Sequence, residues 1–361
     1  AGSLVVAAAK KFKTIGVYDM YNYDTSSYDP TNPNSQPRLT SLSVEQRVTS
    51  AIQYVTADKN PTLYELTGHG EQTLSSVGLS SAVGNENYEV KDLNLITEKA
   101  VPTDADIVLV LAPKKDLSTE DADKLRAWLG AGGRMVVVMD VITPADPTPN
   151  LQALLGTYGV QVRGTVVAEG DTSKVAAQNP LFVIPNLEYH DILSPLRSNK
   201  YDMVMYAAQP VQTLDLRKST LKIEPLLTTS DKSYGKDSAR AKTTSREPGD
   251  PSGPFTLAVA ITDPAPDPSK QDTRIVVIGD LLFLRPDLLA QVPGNTDFFM
   301  NSIGWLKGQK ESITIRPKSM QTMRLGLNAT QALAWSGFVV ILLPILILGS
   351  GLVVWLRRRH L

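Results

Sequence analysis

The sequence predicts an α/β fold, a doubly wound and mostly parallel sheet, followed by a C-terminal transmembrane helix. Three observations carry this prediction. The runs IVLVLA (107–112) and RMVVVM (134–139) are apolar almost throughout, which suits strands covered on both faces of their sheet. Helical stretches alternate with such runs, the order that builds parallel βαβ units. Residues 332–356 then run without a charge and stop at Arg357, Arg358 and Arg359.

Taken in order, the chain begins at Ala1, with a short apolar run at 4–9 before Lys10 and Lys11. Too short to span a bilayer, this run reads as the end of an upstream membrane segment that was cleaved or is missing, or as a frayed terminus. A strand is expected at 14–18, and the Tyr-, Asn- and Pro-rich stretch up to residue 40 reads as an irregular segment. Ser43 and Gln46 resemble a capping box, and Val44, Val48, Ala51, Ile52 and Val55 recur at helical spacing, so a helix is expected over 44–56.

An alternation follows: strand 62–67, helix 71–83, strand 88–93, strand 107–112, helix 118–129 stopped by glycines, and strand 134–140. A short helix at 151–158 and strands at 160–168 and 202–207 come next. Residues 231–254 hold few large apolar side chains and many Ser, Lys, Gly and Pro, so a flexible loop is expected there. Strands at 256–262 and 274–279 and a helix at 297–306 resume the pattern. The best parallel strands flank the middle region, which favours one α/β domain over 41–316 carrying an inserted segment. A short stretch at 313–316 leads into a juxtamembrane linker, 317–331.

At about 1.5 Å per residue the apolar run 332–356 gives a helix of about 37 Å, enough for a hydrocarbon core of about 30 Å with some tilt. Trp335 and Trp355 lie at its ends, as interfacial aromatics do, and Pro344 predicts a kink in mid-span. The Arg357, Arg358 and Arg359 cluster marks the cytoplasmic side, with 357–361 as a cytoplasmic tail and the α/β domain outside.

Composition excludes several functions. With 36 basic and 37 acidic residues the formal net charge is -1, so no global field recruits nucleic acid. The chain has no cysteine, which removes thiol nucleophiles, disulfides and thiolate metal sites together and suits an extracytoplasmic domain. His69, His190 and His360 are too few and too dispersed for a multi-histidine metal site, so no metal or cofactor is expected. Phosphate-loop, dinucleotide, nucleophile-elbow and H-E-x-x-H motifs are absent, and with them any expectation that the chain hydrolyses ATP.

One constellation stands out. Gly68-His69-Gly70-Glu71 follows the strand 62–67, and ligands of parallel sheets lie beyond the carboxyl ends of the strands. His69, Glu71, Asp140 and Asp280 all fall at that edge. They form either a small polar pocket for a sugar or a peptide end, or a set of turn and cap residues with no ligand. No catalytic residue is identified.

Read as an ordered set, LTGHGE, YEVKDLNL, the segment 101–140, LLTTSDKSYG, RIVVIGDLLFL, NTDFFMNSIGWLKG and IRPK before a terminal apolar run resemble the auxiliary subunits of gliding-motility-type ABC transporters. The resemblance covers the chain from about residue 44 onward. It implies an extracytoplasmic domain similar in fold to amidotransferase-like and intraflagellar-transport-type domains, beside a separate ABC-2-type permease and an ATPase. The N-terminal membrane segment usual in that family is not seen, and the amidotransferase-like relatives use a cysteine that this chain lacks. The expected function is therefore a non-catalytic accessory subunit held in the lipid bilayer, with cell-surface glycan or peptide as the open class of ligand. A membrane-tethered protein that binds or hydrolyses glycan, the latter through His69, Glu71 and Asp280, is the alternative.

Overall fold

A computed structural model describes residues 2–24, 38–141, 148–199, 202–237, 243–267, 269–308, 318–319 and 335–359. It comprises two units, Ala1–Asp19 with Val44–Arg316, and Met20–Ser43 with Pro317–Leu361.

In the first unit eight strands share one sheet: β1 (Thr62–Thr67), β2 (Glu89–Asn94), β3 (Ile107–Leu111), β4 (Arg134–Val138), β5 (Asn186–Leu187), β6 (Lys222–Thr228), β7 (Thr256–Asp263) and β8 (Thr273–Ile278). Their spatial order is β5-β6-β7-β8-β4-β3-β1-β2. From β2 across β1, β3 and β4 to β8 every pair is parallel. Beyond β8 the pairs to β7, β6 and β5 are antiparallel. The parallel half thus runs 2-1-3-4 with β8 as its fifth strand, the flavodoxin-like order, and its topological switch point lies between β1 and β3.

Burial on both faces explains the apolar runs. Ile107, Leu109 and Leu111 face one core with Leu63, Val136, Val138, Val276 and Ile278, while Val108 and Val110 face another with Met135, Val137, Ile275 and Val277. Helices α1 (Val44–Thr56), α2 (Ser80–Asn85), α3 (Thr119–Gly130), α4 (Pro149–Thr157), α5 (Ser194–Asn199), α6 (Pro286–Gln291) and α7 (Pro293–Leu306) complete this unit. Leu125 and Leu129 of α3 and Leu151, Leu154 and Leu155 of α4 cover one face; Phe298, Phe299, Ile303 and Leu306 of α7 cover the other. Asn295, fully buried at the start of α7, accepts from Val204 N (3.0 Å) and donates to the carbonyls of Val204 and Phe283 (both 2.9 Å), so one amide ties three segments together. At the other end of α7, Arg274 donates to Trp305 O (2.9 Å), supplying a cation and a donor where the last helical carbonyls lack partners.

Several elements depart from the sequence reading. Helix 71–83 is reduced to α2, because Gly70 (φ 77) and Gly78 (φ 76) hold left-handed turns between which Thr73 and Ser76 exchange hydroxyl-to-backbone bonds. The apolar spacing that suggested a helix reflects Leu74, Val77, Leu79 and Val83, which reach the core from a turn-rich segment. Strand β6 was not expected, since Pro225 lies inside it; a register shift between Pro225 and Leu227 absorbs the missing donor. The middle region supplies β5 and β6 to the same sheet and forms two-stranded pairs outside it, such as Val160–Val162 with Val211–Thr213.

Within 231–254, expected as a flexible loop, Tyr234–Asp237 forms a strand against Thr165–Ala168. The local composition hid it because its stability comes from burying Tyr234 and Lys236 against distant residues. At the N-terminus the run 4–9 is neither a helix end nor frayed: Ser3–Ala7 pairs with Phe12–Gly16 as a hairpin closed by Ala8 N donating to Lys11 O (2.8 Å).

In the second unit Arg38–Leu42 pairs with Tyr21–Asp24 and with Lys318–Ser319, so parts of the irregular segment and of the linker are strands. The remainder of the linker, the stretch 313–316, and Ala332 to Ala334 of the apolar run lie outside the described residues. The run itself is helical from Trp335 to Arg359, 25 residues long and unburied throughout. Phe338–Leu342 is π-helical and gives way to α-helix at Leu343–Arg359. This change of winding immediately precedes Pro344, whose ring excludes a regular i→i−4 bond at that point, so the irregularity expected from Pro344 takes the form of a π segment.

Candidate functional site

At the switch point the loop after β1 turns inward. Gly68 (φ 110) and Gly70 (φ 77) bracket His69 and send its side chain beneath the loop, where it is 5 % exposed. Nδ1 of His69 lies 3.0 Å from Glu71 Oε1, and Nε2 lies 3.2 Å from Asp121 Oδ2. The ring thus bridges two carboxylates, one at each nitrogen. Glu71 also accepts from the His69 backbone N–H (2.8 Å). Asp121, in the first turn of α3 and 2 % exposed, accepts from Ser118 Oγ (2.7 Å) and faces Lys124 Nζ (3.5 Å). Burial alone would raise its carboxyl, yet the Ser118 hydroxyl and His69 hold it below the ordinary value.

The same turn closes the crevice over which doubly wound folds bind ligands. His69 O accepts from Lys114 N (3.0 Å) and Lys115 N (2.9 Å), and Gln72 N donates to Leu111 O (2.8 Å), so the loops after β1 and β3 are bonded to each other. A Cβ on Gly70 would stand 3.3 Å from Lys114 Cβ, a measure of how closely the loops approach.

Asp140 and Asp280 fall elsewhere. They follow β4 and β8, and β8 is three strand spacings from β1, roughly 14 Å at about 4.8 Å per strand. Asp280 is 3 % exposed and accepts three backbone N–H groups, from Tyr206 (2.7 Å), Leu282 (2.6 Å) and Phe283 (3.2 Å). Burial pushes its carboxyl up to about 7 against the pull of those donors, and the nearby charge of Asp140 adds to the rise. Asp140 is exposed, receives the N–H of Val141 on its own carboxylate (2.7 Å), and helps line a cleft of about 240 Å³ with Ala112, Lys114, Met139 and Thr148. The four residues singled out in the sequence therefore form two groups rather than one pocket.

Asp121 escaped the sequence reading because Ser118-Thr119-Glu120-Asp121 reads locally as a helix start, a role it also fills through Asp121 N donating to Ser118 Oγ (3.0 Å). Chemically the cluster is consumed internally. Ser118 Oγ bonds Asp121 and not the imidazole, so no hydroxyl is poised beside a base as nucleophilic catalysis requires.

A larger cavity, about 770 Å³, opens beside α4 between the strands Val160–Val162, Thr165–Ala168 and Tyr234–Asp237, with Thr148, Gln152, Arg163 and Asp250 in its lining. Nothing in the sequence pointed to it, because its walls come from segments far apart in the chain.

Two outcomes follow. Replacing His69 with alanine leaves two buried carboxylates without the ring between them, and should cost roughly 3–5 kcal/mol. Urea unfolding of the full chain in detergent should show a lower midpoint for His69→Ala, partly restored by adding Glu71→Gln; an unchanged midpoint refutes the clamp. For Asp280, the folded chain keeps its proton between the ordinary value of 3.8 and about 7 while the unfolded chain has lost it. Stability conferred by the protonated form is thus full below that window and is lost as pH rises through it. Asp280→Asn should flatten the pH dependence of the unfolding midpoint across this range, and a slope equal to that of the unaltered chain would contradict the assignment.

Comparison with known proteins agrees with this architecture. The mmIFT52 N-terminal domain superposes with a TM-score of 0.52 at 13% identity, covering 68% of this chain and 97% of that domain, which supports the intraflagellar-transport-type fold. The exo-beta-1,4-mannosidase Op5Man5 from Opitutaceae bacterium strain TAV5 (TM-score 0.35, 10% identity, 71% of this chain and 37% of that one) is a more distant likeness. So is a putative GMP synthase protein from Thermoplasma acidophilum (TM-score 0.37, 9% identity, 71% of this chain and 100% of that one). No curated protein matches the sequence. A family profile for auxiliary ABC-transport proteins, described as ABC-type uncharacterized transport system, matches residues 60–302, which span the sheet from just before β1 through most of α7. The chain belongs to this auxiliary family of ABC-type transport systems.

Proposed function

We propose that the protein is a non-catalytic, membrane-anchored accessory subunit of an ABC-2-type transporter of the gliding-motility kind. The observation that carries this reading is the family match over the α/β unit in a chain whose terminal helix is long and apolar enough to span a bilayer. Its partners are then a separate permease and its ATPase, and the α/β unit meets substrate or partner outside the cytoplasm. The internal use of His69, Glu71 and Asp121 supports a binding or structural role for that unit over a hydrolytic one.

Orientation follows from charge. Arg357, Arg358 and Arg359 occupy the last turn of the terminal helix and stay on the cytoplasmic side, where clustered basic residues are retained. Protease added to intact spheroplasts should therefore digest the α/β unit, and its full protection would reverse the topology.

The helix also offers close approach to another helix. A Cβ at Gly337, Gly349 or Gly351 would meet nothing within 4 Å, so these positions leave open backbone surface, and small residues drive helix association in lipid where apolar attraction between helices is absent. Exchange of residues 332–356 for poly-leucine of equal length should keep the protein in the membrane and weaken its co-purification with the permease. Undiminished recovery of the permease would reduce the helix to an anchor.

A further inference from the structure

The two edges of the eight-stranded sheet are finished differently. At one edge β5 is two residues long, and Arg197 Nη1 donates to Leu187 O (2.7 Å), so a side chain caps a carbonyl of that strand. At the other edge β2 runs for six residues, with Glu89, Val90 and Asp92 exposed. Among the described residues no strand pairs with β2 on the side away from β1. An uncovered edge of this length is a template for a further strand.

The backbone bonds show which groups of that edge are open. Glu89 N donates to Pro61 O (2.8 Å), so the peptide groups of Glu89 and, by the alternation of an extended chain, of Lys91 and Leu93 face β1. Those of Val90 and Asp92 face outward. Val90 is also 38 % exposed, although its neighbour across the parallel pair, Leu63, is fully buried. Hydrogen bonds from α1 and the N-terminal hairpin to this region, made by Arg47, Ser50 and Lys13, fall on Asn85 and Asn87, ahead of β2.

A second copy of the chain supplies a matching strand, and the charges select one register. Identical strands related by a two-fold axis pair antiparallel, with residues equally far from the central one opposite each other. Centring on Glu89, Lys91 or Asp92 sets like charges face to face, which opposes pairing. Centring between two residues faces an outward peptide with an inward one and forms no ladder. Centring on Val90 places Glu89 of each copy opposite Lys91 of the other on one face of the sheet, and Val90 opposite Val90 on the other face. Lys91 is already held over its face by Asp104 (2.9 Å) and by Glu89 of its own strand (3.3 Å), where a carboxylate of the second copy joins them.

We propose that the α/β unit self-associates through β2, two copies joining edge to edge in an antiparallel pair centred on Val90 to form one continuous sheet. The outward peptide groups of the two central residues exchange two N–H to C=O bonds, and their side chains cover each other's exposed surface.

The chain has no cysteine, so introduced thiols report the register directly. The experiment scores disulfide-linked dimer of the full chain in detergent under a mild oxidant. Val90→Cys should link most of the chain, because a bonded central pair sets its Cα atoms about 5.5 Å apart, within disulfide reach. Leu216→Cys, at a position 95 % exposed in another segment, gives the level of collisional linking and should stay far lower. Adding Lys91→Glu to Val90→Cys should cut the linked fraction about tenfold, since both cross-strand pairs turn repulsive, and adding Glu89→Lys as well should restore it. That restoration separates lost pairing from lost folding. Linking by Val90→Cys no greater than by Leu216→Cys overturns the proposal, and dimers held by the terminal helix alone give that result. A linked fraction indifferent to Lys91→Glu, or a loss that Glu89→Lys leaves in place, overturns the register.

Discussion

The structure depends on keeping β3, β4 and β8 dry on both faces. Ile107 to Leu111 and Met135 to Val138 show almost no exposure, and strands of that composition persist only when helices cover both sides. That constraint places α3 and α4 against one face and α7 against the other. It also sends the loops after all five parallel strands to a single edge, where His69, Glu71, Asp140 and Asp280 are found. The antiparallel strands β7, β6 and β5 extend the same two cores.

At the edge where such a sheet offers a ligand crevice, this chain spends its polar groups on itself. The imidazole of His69 sits between Glu71 and Asp121, and backbone bonds join the loops after β1 and β3. Asp280 serves three backbone donors. Such groups tie the loops together.

The terminal helix obeys a different solvent. Trp335 to Leu356 is apolar and unburied, a state that water penalises and lipid does not. Pro344 leaves its mark as a preceding π segment, and small residues along the helix leave its backbone accessible. The family profile matches residues 60–302, and this helix lies outside the matched residues.

Sequence by itself determined the class of fold, because apolar runs buried on both faces and the helices between them are local patterns with a fixed period. Strand β1 and helix α1 match their expected limits, and β3, β4, β7, β8 and α3 lie within a residue or two of theirs. The terminal helix was equally legible, since length and absence of charge suffice to define it. What only the tertiary structure decided are the elements whose stability is borrowed from afar. Strand β6 tolerates Pro225 through a bulge, Tyr234–Asp237 survives by burial, and 71–79 forms turns in spite of helical spacing. The site followed the same division. His69 and Glu71 announce themselves as neighbours around a glycine turn, whereas Asp121 meets them across 52 positions of sequence and Gln152 acquires its orientation from Val162, contacts that exist only once the sheet has brought those segments together.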